Sequence, residues 1–221
     1  GASGDGSDGM IACGSYVGNG STNGPEIDLG WEPQYVLCKC SSAADIWTVS
    51  DSIRGIVSGG TGAYLQPQSS SAETAYDLFS LQPNGFKVTT IASRANTNAQ
   101  TYIYMAIRRP MKTPLSSDEV FAIDNMNSTK PAYSSGFPID FFLYRHKSAT
   151  TSWSAISRLT GKTRLETSST LAEQAKASVA LDVMDGHNTD GTGTNTEIFS
   201  WMFKRAKGFF DVVAYTGNGI A

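Results

Sequence analysis

An ordered internal echo constrains this chain more than any other feature. Residues 30–39 (GWEPQYVLCK) return as residues 136–145 (GFPIDFFLYR): a glycine, an aromatic, a nearby proline, then a strand ending in a basic residue. Trp47 follows the first stretch and Trp153 the second, 106 positions on. Residues 65–73 (LQPQSSSAE) resemble residues 165–173 (LETSSTLAE), 100 positions on. Residues 102–109 (TYR-rich YIYMAIRR) are echoed by 198–205 (IFSWMFKR), 96 positions on. Offsets that shrink a few residues at a time are what loop-length differences between two copies of one fold produce. A shorter echo joins YVGNG at 16–20 to YTGNG at 215–219.

The 221 residues therefore divide into a flexible leader (1–11), a first unit (12–109), a linker with a short strand at 120–124 (110–135), a second related unit (136–207) and a terminal strand (208–221). That last strand is expected to open a third unit or to complete a neighbour. The turns at Asn19-Gly20 and Asn218-Gly219 follow apolar stretches, and both residue types tolerate positive φ.

Alternation sets the fold class. In 35–40, Val36, Cys38 and Cys40 share one face and Tyr35, Leu37 and Lys39 the other. In 102–107 both faces are apolar, as they are through most of 139–144, so these strands are buried on two sides or meet a neighbour on the second. Residues 210–215 read as a further strand, whereas 170–182 (TLAEQAKASVALD) suit either a short helix or a strand with a loop. With 27 serines, 21 threonines and 22 glycines, the chain is made of strands and turns rather than long amphipathic helices. The expectation is an all-β, antiparallel β-sandwich in two tandem units.

Charge excludes some functions. A formal net charge of -3 offers no field for phosphate backbones, and the basic residues are dispersed, so no nucleic-acid partner is expected. No apolar run reaches the length of a membrane helix, and the start (GASGDGSDGM) lacks the basic and apolar regions of a signal peptide. Cys13, Cys38 and Cys40 fit neither a disulfide framework nor a metal pair; a bridge from Cys13 to one of the others, or buried free thiols, are both open. A hydroxyl-rich surface with only 17% charged residues suits contact with glycans or burial against neighbouring subunits.

Candidate sites are few. Trp47, Trp153 and Tyr64 are candidate sugar platforms, with core anchoring as the alternative. Asp51 and Arg54, three apart, read as a loop-locking pair rather than catalytic groups. Asp182, Asp185 and Asp190, in a Gly-containing loop with His187, are the best oxygen ligands for a calcium ion, although their spacing is not that of an EF-hand. No GxSxG elbow or P-loop is present, and no local pattern sets two carboxylates at glycosidase separation, so no catalytic residue and no cofactor is assigned.

The succession YVGNG, GWEPQYVLCK, the Trp47–Asp51–Arg54–Gly55 region, Asn84-Gly85-Phe86, Asn96 and the TYIYMA strand resembles repeat modules of tailed-bacteriophage virion proteins. The likeness covers residues 13–109 and recurs more weakly over 120–207. The second copy has Ser157, Arg158 and Gly161 in place of an intact D-RG element and no clean counterpart of Asn84-Gly85-Phe86. The resemblance implies a jelly-roll, concanavalin-like or laminin-G-like sandwich. It further implies a non-enzymatic part of a tail, fibre or capsid surface, on an extracellular particle. Such a part would bind copies of itself and other virion proteins and touch a host surface polysaccharide. A carbohydrate-binding module or lectin is the alternative, with a glycan-degrading enzyme behind it.

Overall fold

The computed structural model describes residues 9–57, 62–110, 112–189 and 195–215. The chain forms two compact units, Gly1–Pro110 and Met111–Ala221. Both are built almost wholly from antiparallel strands. Helix is confined to one turn at Ser93–Asn96 (α1) and a 3-10 turn at Ser117–Glu119 among the described residues. No helix among them is long and apolar enough to cross a membrane.

In the first unit, β1 (Ile11–Val17), β3 (Pro33–Cys40), β4 (Trp47–Asp51) and β9 (Thr101–Arg108) make a four-stranded sheet in the order β1-β9-β3-β4. A second sheet, β2-β8-β7, uses β2 (Glu26–Asp28), β7 (Phe79–Gln82) and β8 (Gly85–Val88). A ribbon pairs β5 (Ala63–Tyr64) with β6 (Thr74–Ala75). The period-2 pattern drives the layering. Val36, Cys38, Tyr102 and Ala106 turn inward from the larger sheet, and Phe79, Leu81, Phe86 and Val88 come from the smaller one. The layers meet where Phe86 packs edge-on against Tyr104, ring centroids 5.4 Å apart.

The second unit repeats the larger sheet. Its strands are β10 (Phe121–Met126), β11 (Phe141–His146), β12 (Ser154–Ser157), β13 (Thr163–Glu166), β14 (Gln174–Ala175) and β15 (Asn195–Phe203). They run in the order β10-β15-β11-β12-β13-β14. The first four correspond strand for strand to β1-β9-β3-β4. The register repeats as well: Val36↔Ser50 and Cys38↔Thr48 return as Phe142↔Ile156 and Tyr144↔Ser154. The pair Val36↔Ala106 returns as Phe142↔Met202, and Ala63↔Ala75 as Thr163↔Ala175. The core here gathers Tyr133, Phe137, Ile139, Phe142, Ile156 and Met202, among others.

Three local expectations change, and one open alternative is resolved. The strand expected inside the linker 110–135 forms, but as β10, hydrogen-bonded to β15 and holding the place that β1 holds in the first unit. Residues 210–215 form no strand. Phe210 makes one bridge to Ala206 and lays its ring against Phe141 and Phe203. Of the two readings of residues 170–182, the strand with a loop is the one that forms: the two-residue strand β14 lies within irregular chain. The second unit also has a counterpart of Gly85-Phe86. The antiparallel pair Ile27↔Phe86 in the first unit matches the antiparallel bridge Tyr133↔His187. A Cβ on Gly85 would stand 1.8 Å from the Ile27 carbonyl oxygen, and one on Gly186 1.7 Å from that of Tyr133. Each glycine allows the same close approach of backbones.

Candidate glycan-facing site

The outward face of the larger sheet carries its own pattern. Lys39 on β3 stands directly opposite Trp47 on β4 and Ile103 on β9. Trp47 is 36% exposed, Ile103 is exposed and Lys39 is half-buried. Trp47 opens β4 at the sheet edge, where its backbone N–H donates to Gln68 Oε1 at 3.0 Å. Gln68 Nε2 in turn donates to Gln66 Oε1 at 3.2 Å. Ser69 and Ser71 complete this loop with hydroxyls 2.7 Å apart. The Lys39 ammonium donates to the Cys40 carbonyl at 2.8 Å. An indole with a ring of amides, hydroxyls and one cation is what a sugar's apolar C–H face and polar rim require.

Arg145 and Trp153 occupy the equivalent positions in the second unit, but in a closed form. The Arg145 guanidinium lies 5.3 Å from the Trp153 ring centroid, and Trp153 packs against Trp201 at 5.2 Å. Arg145 Nε is buried without a hydrogen-bond partner. Trp153 is thus half-buried by its own neighbours. Tyr64 is no platform at all. It is a residue of β5, 2% exposed, and the Arg94 guanidinium lies over its ring, 5.1 Å from the centroid. Tyr76 takes the same guanidinium at 5.0 Å.

Asp51 and Arg54 lock a turn. Their side chains form an ion pair, Asp51 Oδ1 accepts the Arg54 backbone N–H at 2.9 Å, and Arg54 Nε lies 3.6 Å from Glu73 Oε2. In the second unit Arg158 turns inward instead. It is buried, with Nε donating to the Ile139 carbonyl at 2.9 Å and Nη1 to that of Leu181 at 2.6 Å.

The Asn19-Gly20 turn is held from a distance. Fully buried Asn96 accepts the Asn19 N–H at 2.8 Å and donates to the carbonyls of Ser21 and Thr90 at 2.7 and 2.8 Å. Gly20 takes φ +66, as a left-handed turn residue does. Sequence reading found the turn but not its clasp, since Asn96 lies 77 positions from Asn19. Asn218 and Gly219 lie outside the described residues.

Of the aspartates expected to hold calcium, Asp185 is otherwise engaged. Asp185 Oδ1 accepts the N–H groups of Ser135 and Gly136 at 2.7 and 2.6 Å, and Oδ2 accepts the Ser134 hydroxyl at 2.7 Å. Partial burial pushes the Asp185 carboxyl up, but these donors outweigh it and hold the group below its ordinary value. Asp182 is exposed and Asp190 lies outside the described residues. Among the described residues no three His, Cys, Asp or Glu side chains gather as a metal site. The three cysteines are free: Cys13 exposed, Cys38 and Cys40 buried.

Sequence reasoning missed the most unusual group in the second unit. His187 is fully buried between Tyr133 and Phe142, with ring centroids 4.5 and 3.7 Å away. Its Nε2 shares a 2.8 Å hydrogen bond with Ser200 Oγ, and Nδ1 has no partner. By register Ser200 stands where Tyr104 stands in the first unit, so a polar pair replaces the Phe86–Tyr104 aromatic contact.

Fold and site together define a tandem β-sandwich protein whose Trp47 indole is open where Trp153 is covered. Residues 6–110, a little under half of the chain and essentially its first unit, match a family described as a domain of unknown function (DUF7483). No curated protein and no solved structure matches the chain.

Proposed function

We propose that the chain is a non-enzymatic structural component of a tailed-bacteriophage virion, displayed on the particle surface. It joins copies of itself and other virion proteins through free sheet edges, leaving its outer faces open to host surface polysaccharide. The virion part of this reading is supported by the motif succession from YVGNG to TYIYMA.

One observation carries the assembly part: the first unit leaves its first strand, β1, as an unguarded sheet edge, whereas β10 carries Asp124 and a register irregularity at Asn125/Met126. β1 pairs only with β9, and β10 only with β15, among the described residues. The seven residues of β1 include no charge and no proline, and its ends, Ile11 and Val17, are 56% and 58% exposed. Soluble proteins normally guard such an edge with lysine, proline or a bulge, because its unpaired N–H and C=O groups recruit another strand. Assembly should appear in sedimentation at micromolar concentration and weaken when Ile11→Lys and Val17→Lys charge the edge. A monomer indifferent to those changes would sink the reading.

A second reading, a free-standing carbohydrate-binding module, is favoured by the open Trp47 indole beside Gln66, Gln68 and Lys39. Glycan retention by a stable monomer would select it.

A further inference from the structure

We infer that the glycan met at Trp47 is acidic: a polysaccharide whose sugars carry carboxylates. The inference rests on the glycan reading of this site and adds the chemistry of the ligand. A neutral sugar would need only the indole and the amides. Here a cation is set beside the indole, and the arrangement occurs twice, as Lys39–Trp47 and as Arg145–Trp153, 106 positions apart.

Neither cation is neutralised. Lys39 spends one donor on the Cys40 carbonyl and has no carboxylate within ion-pair distance among the described residues. Arg145 has its ring contact with Trp153 and a buried Nε with nothing to donate to. Lys147, two residues on and just past the end of β11, shows the contrast: it is paired with Glu197 on β15 at 3.0 Å. A buried donor without an acceptor costs free energy, which an incoming anion would recover.

The whole-protein field cannot be the attraction, since the net charge is -3. The recognition is local: a carboxylate against Lys39 while the pyranose ring lies on Trp47. In the second unit Arg145 already covers Trp153, so the first unit is the open copy. A single such contact is weak, and copies joined into an array would supply the avidity.

The test is affinity electrophoresis of the whole chain through gels containing alginate (a polyuronate), dextran (neutral) or dextran sulfate. Alginate should retard the protein more than either other polymer, and retardation should fall as salt rises. Lys39→Gln should weaken alginate retention about tenfold, Lys39→Arg should restore it, and Trp47→Ala should remove most of it. Equal retention by dextran, unchanged in Lys39→Gln, would overturn the acidic ligand while leaving the glycan reading intact. Dextran sulfate binding that matches alginate and ignores Trp47→Ala would overturn it as general polyanion attraction. No retention by any polymer would remove the glycan reading and this inference together.

Discussion

Replacing His187 with phenylalanine should make the second unit acid-resistant and slightly weaker at neutral pH. Burial pushes the imidazole down to about 3 from an ordinary value near 6.5. The folded state therefore holds His187 neutral, while the unfolded chain takes up a proton once the pH drops below about 6.5. A group whose folded value is depressed in this way contributes fully above the unfolded value. That contribution is lost as the pH falls towards the folded one. Linkage between these two values gives a loss of about 2 kcal/mol at pH 5 relative to pH 7.5, rising to a ceiling of about 5 kcal/mol below pH 3.

Phenylalanine already fills the equivalent place as Phe86, so the shape is accepted by this fold. The substitution strands the Ser200 hydroxyl, at a cost of about 1 kcal/mol at pH 7.5. The stability order of the two proteins should thus reverse between pH 7.5 and pH 5. Urea unfolding followed by fluorescence is the assay, with Trp153 and Trp201 reporting on the second unit. Equal pH dependence in wild type and His187→Phe would refute the reasoning, because it would mean that His187 is protonated while folded or exposed by local opening.

Asn96→Ala should destabilise the first unit by about 2–4 kcal/mol, since it strands the Asn19 N–H and two buried carbonyl acceptors at once. Urea unfolding checks it, and a change below about 0.5 kcal/mol, typical of an indifferent surface site, would show that the YVGNG loop holds itself. Gly85→Ala and Gly186→Ala should each destabilise their own unit by more than about 2 kcal/mol, because the added methyl meets a backbone oxygen closer than 2 Å. Thermal melts of the two variants should be similar in kind. A neutral result at Gly186 would contradict its equivalence with Gly85.

Much of this fold was legible because its signals are local and periodic. Tyr35–Lys39 alternates cleanly, and the echoes at offsets of 106, 100 and 96 reappear as the observed registers of β3-β4, β5-β6 and β9. What escaped was set by distant partners. The segment VFAID looked like an isolated strand between prolines, and only its pairing with β15, some 80 residues on, makes it the first strand of the second unit. His187 was hidden because its equivalence to Phe86 lies in backbone pairing, with histidine in place of an aromatic hydrocarbon. Tyr64 was a candidate sugar platform, and the Arg94 guanidinium that lies over its ring comes from 30 positions away. Residues 210–215 alternate like a strand yet find no partner among the described residues, and alternation alone supplies no second strand.

Of the site, the two tryptophans were visible, and so was the Asp51–Arg54 lock. Their inequality was not. Trp47 stays open because Met105 stands at the register position that Trp201 takes in the second unit, and because Lys39 bonds back to its own strand.

The central claim, that the unguarded strand β1 joins copies of the chain into an assembly, is met most directly by sedimentation velocity on the whole chain at micromolar concentration. The account predicts species larger than one chain that dissociate when Ile11→Lys and Val17→Lys are introduced together. A stable monomer, sedimenting identically with and without those lysines, would contradict it.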